Sequence, residues 1–285
     1  MSYEELQESY GERQLIDLVY EILLMRPPSD KDVERVSAKI AQGDLSYRQL
    51  VISLMLSTEF MDTLAVDAID NHLLFIHNTR VKLIRSVLPQ ADTILDIGGA
   101  NGSLIEYGYP HPFAKLILTD LPAEERIAGL RKVDLKRKWE LNEKVDVIFT
   151  HMTDLSMIED NSIDLVWAGQ VVEHITEDEL VKSFKEIKRV LKVGGVFGFD
   201  TPNGIMTRIQ SPDRLIHPEH KKEYTPDELR EMIKPCFTSV QELGLIPMAE
   251  SYRTRAFSYQ EMVLNNTFSE TLEHSYIIYF MCQKD

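Results

Sequence analysis

The chain has 285 residues, 46 acidic against 31 basic side chains, a formal net charge of −15, and 44% hydrophobic and 27% charged residues. That suits a globular protein of one or two domains with a large core. So acidic a balance excludes a nucleic-acid backbone as the expected partner, because such a partner needs a basic footprint. The nearest basic patch, Lys132, Arg137 and Lys138, reads as a solvated helix face. Cys236 and Cys282 lie far apart without a metal-ligand spacing and are expected to be buried thiols of a reducing compartment. No apolar run approaches the ~18 residues that cross a bilayer. Glu4, Glu5 and Glu8 stand where a signal peptide would be basic, so the expected location is the cytoplasm.

Residues 1–64 read as a small helical domain. Leu15, Ile16, Val19, Tyr20, Ile22 and Leu23 recur at helical spacing, and Arg26–Pro27–Pro28 stops that helix. Ser29 with Asp32 three positions on is a helix-start pattern, and the helix it opens ends near Gly43. A third helix starts near Ser46, carries Leu50, Val51, Leu54 and Met55, and runs into Ser57–Thr58–Glu59–Phe60. A long helix is expected over 66–88, ending at Pro89; His72 and His77 on it read as surface or packing residues.

Residues 93–102, Thr-Ile-Leu-Asp-Ile-Gly-Gly-Ala-Asn-Gly, are a buried strand running straight into glycines, with Asp96 two residues before Gly98 and Gly102 closing the turn. From here strand and helix alternate, the mark of an open parallel sheet. Lys115–Asp120 is the second strand, and its terminal acid, Asp120, lies 24 residues after Asp96, where a carboxylate can accept both hydroxyls of a ribose. A charged helical region and linker over 122–142 leads to a third strand, 144–149, followed by His151–Met152–Thr153–Asp154–Leu155. Then come Asp160–His174 with the fourth strand, a capped helix from Glu177 to Leu191, the turn Lys192–Gly195, and a fifth strand, Val196–Asp200, ending in Thr201–Pro202–Asn203. Residues 237–245 and 275–282 read as the last two strands; the intervening 246–274 has little strand character and is long enough to carry function or act as a lid.

The glycine loop competes with a dinucleotide-binding turn, G-x-G-x-x-G. Started at Gly98, that pattern meets Ala100 and Ser103 where glycines belong; started at Gly99, it meets Asn101 and Leu104. The loop instead resembles the first motif of class I S-adenosylmethionine-dependent methyltransferases, and 160–174 resembles the fourth-strand region of that family, down to its Glu173–His174 ending. The likeness spans roughly residues 93–203. It implies an α/β fold, a Rossmann-like seven-stranded sheet with helices on both faces and an antiparallel last strand, preceded by the small all-α domain, with the methyltransferase domain over 65–285.

The same resemblance implies S-adenosyl-L-methionine as cofactor and a set of binding residues. Asp96 would order the loop and the cofactor's ammonium end, with Gly98, Gly99, Ala100 and Gly102 allowing close approach. Asp120, beside Leu121, would hold the ribose. Asp154, between Thr153 and Leu155, would meet the adenine amino group while Leu155 covers the ring; Gly169 and Gln170 follow the fourth strand.

An alcohol acceptor must lose a proton, and the candidate bases are His174, Asp200, His217 and His220. The last two sit in 214–224, ahead of the helix start Thr225–Pro226–Asp227–Glu228. His217 and His220, three apart, have a spacing that a metal with a carboxylate can use, but the expectation is no metal. Acceptor-side insertions are placed at about 204–224 and 246–274.

Residues 15–60 resemble a helical module related to phycobilisome linkers and attached to some bacterial surface-polysaccharide enzymes, through Val19–Tyr20, Leu24–Pro27, Gly43–Asp44 and Ser57–Phe60. This makes a saccharide acceptor, O-methylated, the first expectation. A quinone-like metabolite is the enzyme alternative, and a non-catalytic cofactor-binding interaction protein the alternative of another class. The expected partners are a small-molecule or saccharide acceptor, no nucleic acid and no membrane span, with a homo-oligomer or enzyme partner to be met through the N-terminal helices.

Overall fold

The computed structural model describes residues 11–24, 26–55, 57, 59, 68–99, 102, 104, 109–126, 138–139, 142–257 and 259–285. The chain forms two compact units, Met1–His77 and Asn78–Asp285.

In the first unit, α1 (Glu12–Leu24), α2 (Asp30–Ala41) and α3 (Tyr47–Met55) share a core of Leu15, Ile16, Tyr20, Leu24, Val36, Tyr47, Leu50 and Leu54. The start of α2 is a capping box: Asp32 N–H donates to Ser29 Oγ at 3.2 Å, and Ser29 N–H donates back to Asp32 Oδ2 at 3.2 Å. This satisfies two amides that a helix N-terminus otherwise leaves without partners. Helix α4 runs Ala68–Arg85, a turn shorter at its C-terminal end than the expected 66–88, and Ser86–Leu88 complete a tight C-terminal turn. Among the described residues no helix is long and apolar enough to cross a membrane.

In the second unit the strands are β1 (Thr93–Ile97), β2 (Lys115–Asp120), β3 (Val145–Phe149), β4 (Ile163–Gly169), β5 (Leu191–Pro202), β6 (Ser239–Pro247), β7 (Phe268–Ser269) and β8 (Ser275–Gln283). They form one sheet in the order β3-β2-β1-β4-β5-β8-β6-β7. β1 to β5 pair with one another in parallel, and β8 inserts antiparallel between β5 and β6. The sheet therefore has eight strands rather than the expected seven. The extra one is the two-residue β7, which pairs with Gly244–Leu245 from inside the segment read as lacking strand character. β5 also begins at Leu191 instead of Val196: Leu191 pairs with Ile163 before a bulge resets the register at Leu165↔Val196. The turn read at Lys192–Gly195 thus lies within the strand, with Gly194 at φ +77°.

Side chains alternate across the sheet. One face, with Leu95, Ile97, Val166, Phe197 and Phe199, packs on α5 (Glu177–Val190) through Leu180, Phe184 and Ile187. Phe199 stacks between Phe197 and Phe280 at ring distances of 5.1 and 5.3 Å. The other face places Asp96, Trp167 and Asp200 toward Arg80 of α4. Helices α6 (Gly204–Gln210), α7 (Pro226–Ile233), α8 (Ala249–Thr254) and α9 (Tyr259–Leu264) also belong to the unit. The threonine–proline–glutamate start of α7 forms as read, with Glu228 N–H donating to Thr225 Oγ1. Both cysteines are buried free thiols.

Candidate active site

The strand order reverses at β1, since β2 and β3 lie to one side and β4 and β5 to the other. In an open parallel sheet the strands' carboxyl ends leave a crevice at that point. There an open cleft of about 510 Å³ is lined by Gly98, Asp120 and Leu121, by His151 and Met152 after β3, by Gln170, Val171 and His174 after β4, and by Glu219 and Lys221 from the 211–224 loop.

Its floor is built from the first glycine loop. Gly98 has φ +69°, where a side chain is strained, and a Cβ there would stand 2.6 Å from Val171 Cγ2. A Cβ on Gly99 would stand 2.6 Å from both Asp96 Oδ2 and Leu118 Cδ2, so the loop lies directly on the Asp96 carboxylate. Asp96 is buried, and burial pushes its carboxyl up to about 8, with Asp120 adding to the shift and Arg80 opposing it. Asp120 accepts the Leu121 N–H on Oδ1 at 2.7 Å, and Arg126 Nε lies 3.6 Å from the same oxygen. Its other oxygen, Oδ2, is buried and has no hydrogen-bond partner among the described residues. Burial raises the Asp120 pKa, while the Leu121 amide and Arg126 oppose the shift.

Gly98, Asp120, Leu121, Gln170 and His174 thus line one cleft, with Asp96 beneath it. The other expected residues that the structure describes do not line it. Gly102 donates its N–H back to Gly99 O and closes the turn; Ala100 lies outside the described residues. Thr153 Oγ1 is 2.7 Å from His151 Nδ1, Asp154 is exposed with Oδ1 accepting from Ser156 N–H at 3.1 Å, and Leu155 is fully buried in the main core. None of these three is among the lining residues. Gly169 leaves room for the Arg80 guanidinium, 3.0 Å from where its Cβ would be.

Asp200 is fully buried, and both its oxygens accept from Arg80 Nη1, at 2.9 and 3.0 Å. Gln170 N–H donates to the Asp200 carbonyl and side chain. Asp200 therefore props the end of β4 from below and does not face the cleft. Gln170 itself stands at φ +57°, uncommon outside glycine and characteristic of strained functional positions.

The histidines do gather. The 3-10 turn Val172–His174 places Glu173 inward, with no exposure, and His174 outward. The 211–224 loop docks on this turn: Lys221 and Lys222 N–H donate to Glu173 O at 2.8 and 3.2 Å. This brings the His217 and His220 rings to 6.2 and 5.0 Å from that of His174. Burial holds His174 down to about 4, with His220 adding to it, and pushes Glu173 up to about 7 against the pull of His220. Residues 246–274 contribute nothing to the described lining. Sequence reading missed Arg80, Arg126, Val171 and Lys221 at or under the site. Only Arg80 left a signal, a lone cation on a helix face that otherwise buries Val81 and Ile84.

Residues 95–199 match a family model of the methyltransferase domain. The matched stretch runs from within β1 to within β5. A Mycolicibacterium smegmatis protein whose name reads "Probable S-adenosylmethionine-dependent methyltransferase" is 33% identical over 99 residues, which are 35% of this chain and 37% of that protein. This match thus spans about a third of each chain. Among solved structures, the fold is shared with a Haloferax volcanii protein in complex with the Trm112 methyltransferase activator (TM-score 0.54, 19% identity, 78% of this chain and 96% of that one). It is shared equally with a SAM-dependent methyltransferase from Thermotoga maritima (TM-score 0.54, 16% identity, 77% and 96%).

Proposed function

We propose that the chain is an S-adenosylmethionine-dependent methyltransferase that methylates an oxygen of a small acceptor. The observation that carries the cofactor reading is Asp120: a carboxylate at the tip of β2, over the left-handed glycine turn, with a buried oxygen that has no donor among the described residues. A ribose diol supplies the donors that oxygen lacks. Asp96 and the Gly98–Gly99 turn would hold the methionine end, and Leu121, Met152 and Gln170 the remainder. When bound, the cofactor supplies a methyl group already activated on a sulfonium, so the chain's own task is to position the acceptor and accommodate its proton.

A sugar hydroxyl of a bacterial surface polysaccharide is the acceptor proposed first. What supports it is the resemblance of residues 15–60 to modules that accompany such enzymes. The same resemblance supports a partner or second copy met through those helices.

The test is calorimetry with S-adenosylhomocysteine. The wild-type chain binds it, and Asp120→Ala, still folded, loses about 1.5–3 kcal/mol, the worth of a charge-assisted bond. Undiminished affinity in the variant removes Asp120 from the site, and a preference for NAD overturns the cofactor reading.

A further inference from the structure

Three side chains at the rim of the cleft, two of them read from sequence as rival bases, stand close enough to share one ion. Glu173, His174 and His220 each offer one ligating atom, and these atoms lie within 4.8 Å of one another. Hydrogen bonds decide which atoms are free. His174 Nδ1 is 3.1 Å from the Glu219 carbonyl, which can only accept, so Nδ1 carries the proton and Nε2 keeps its lone pair. His220 Nδ1 is 2.8 Å from Glu223 Oε1, which fixes the same tautomer and again leaves Nε2 as an acceptor. Glu173 accepts from Thr201 Oγ1 on Oε2 at 2.9 Å, while its Oε1 is fully buried and partnerless among the described residues.

With Glu173 ionised, the cluster therefore presents three acceptors and, among the described residues, no donor between them. Such an arrangement costs free energy unless something positive enters. The second contact of each imidazole, one to a backbone carbonyl and one to a carboxylate, is the arrangement that orients metal-binding histidines. His217 serves as an internal contrast. It accepts the Glu219 N–H on Nδ1 at 3.2 Å, so its Nε2 is protonated and cannot ligate, although its ring is only 5.3 Å from that of His220.

We propose that Glu173, His174 and His220 form a binding site for one divalent first-row transition-metal ion of the zinc class. Two imidazoles and one carboxylate suit such ions, whereas the harder magnesium and calcium prefer all-oxygen shells. Ligands at about 2.1 Å from one ion stand roughly 3–4 Å apart, so the cluster closes on it with a shift of about an ångström. Three protein ligands leave a position open, and of the three His174 lines the cleft. Use of that position to polarise an acceptor oxygen rests on the methyl-transfer reading above; the ion site does not.

The experiment titrates the full chain, stripped with a chelator and dialysed, with Zn²⁺ alone in a calorimeter. One equivalent binds. His174→Ala and His220→Ala each weaken it at least tenfold, and so does Glu173→Gln, which keeps the buried shape and the Thr201 contact should an alanine variant fold poorly. His217→Ala leaves it unchanged, and excess Mg²⁺ does not displace the zinc. Absence of stoichiometric binding to wild type, or binding that survives all three substitutions, overturns the proposal. S-adenosylhomocysteine titrated into the same samples separates the two readings. Binding of that compound without zinc refutes the ion site alone, and zinc binding without that compound supports the ion site while removing the cofactor reading.

Discussion

Asp200→Ala should unfold the domain more easily rather than slow a proton transfer. Asp200 has no exposed surface, and both its oxygens lie on Arg80 Nη1, whose guanidinium is itself buried. Removing one partner of a buried ion pair costs about 3–5 kcal/mol. The second unit has about 200 residues, for which each kcal/mol moves the melting temperature by roughly 2–4 °C. The expected loss is therefore on the order of 6–20 °C. Asp200→Asn, which keeps an acceptor for Arg80, should lose clearly less. The assay is thermal unfolding followed by circular dichroism, with methyl transfer measured on whatever remains folded. An alanine variant that melts like wild type but transfers no methyl group would refute this reasoning and restore Asp200 as a base.

Asp96 binds its proton more tightly in the folded chain, at about 8, than at the ordinary 3.8. The resulting stability is complete below about pH 4 and is lost as pH rises through about 8. Against Asp96→Asn, which cannot titrate, wild type should thus lose relative stability by at most about 1.4 kcal/mol per pH unit across that window. Urea midpoints of both proteins from pH 4 to 9 give the slope, and a pH-independent difference contradicts the burial argument. Gly99→Ala forces a methyl group to within 2.6 Å of Asp96 Oδ2 and Leu118 Cδ2, so it should cost about 1–3 kcal/mol and weaken S-adenosylhomocysteine binding together; calorimetry showing both properties intact would mean the loop does not rest on Asp96. Thr225→Ala removes the cap of α7 and should cost about 0.5–2 kcal/mol in denaturant, with cofactor affinity unchanged.

The central strands were legible because each combines two local signals, an apolar run and a terminal acid or glycine. Lys115–Asp120 forms with the bounds read for it, Thr93–Ile97 is a strand that runs into the glycines as read, and Asp120 lines the cleft. Capping boxes at Ser29 and Thr225 were equally legible, since donor and acceptor sit three residues apart. β7 was not. Two residues cannot show an alternation, and Phe268–Ser269 is a strand only because Gly244–Leu245 lies alongside. The Arg80–Asp200 pair spans 120 positions, and no spacing rule links a helix before β1 to the end of β5.

The rim of the cleft shows where such reading stops for a chemical reason. Sequence placed His174, His217 and His220 in one region and offered them as interchangeable bases, because residue type fixes only that an imidazole has one donor and one acceptor. Which nitrogen does which is set by the neighbour, and the neighbours here are a backbone carbonyl, a backbone amide and a carboxylate supplied by the folded loop. A carbonyl and a carboxylate leave Nε2 of His174 and His220 free to accept; an amide leaves His217 with the opposite tautomer. Glu173 adds an oxygen that finds no donor among the described residues. A general base needs one lone pair near the proton it removes, whereas this rim, with Glu173 ionised, holds three that converge. That convergence, which depends on Lys221 and Lys222 docking the loop on Glu173, favours an ion at this rim over a lone base.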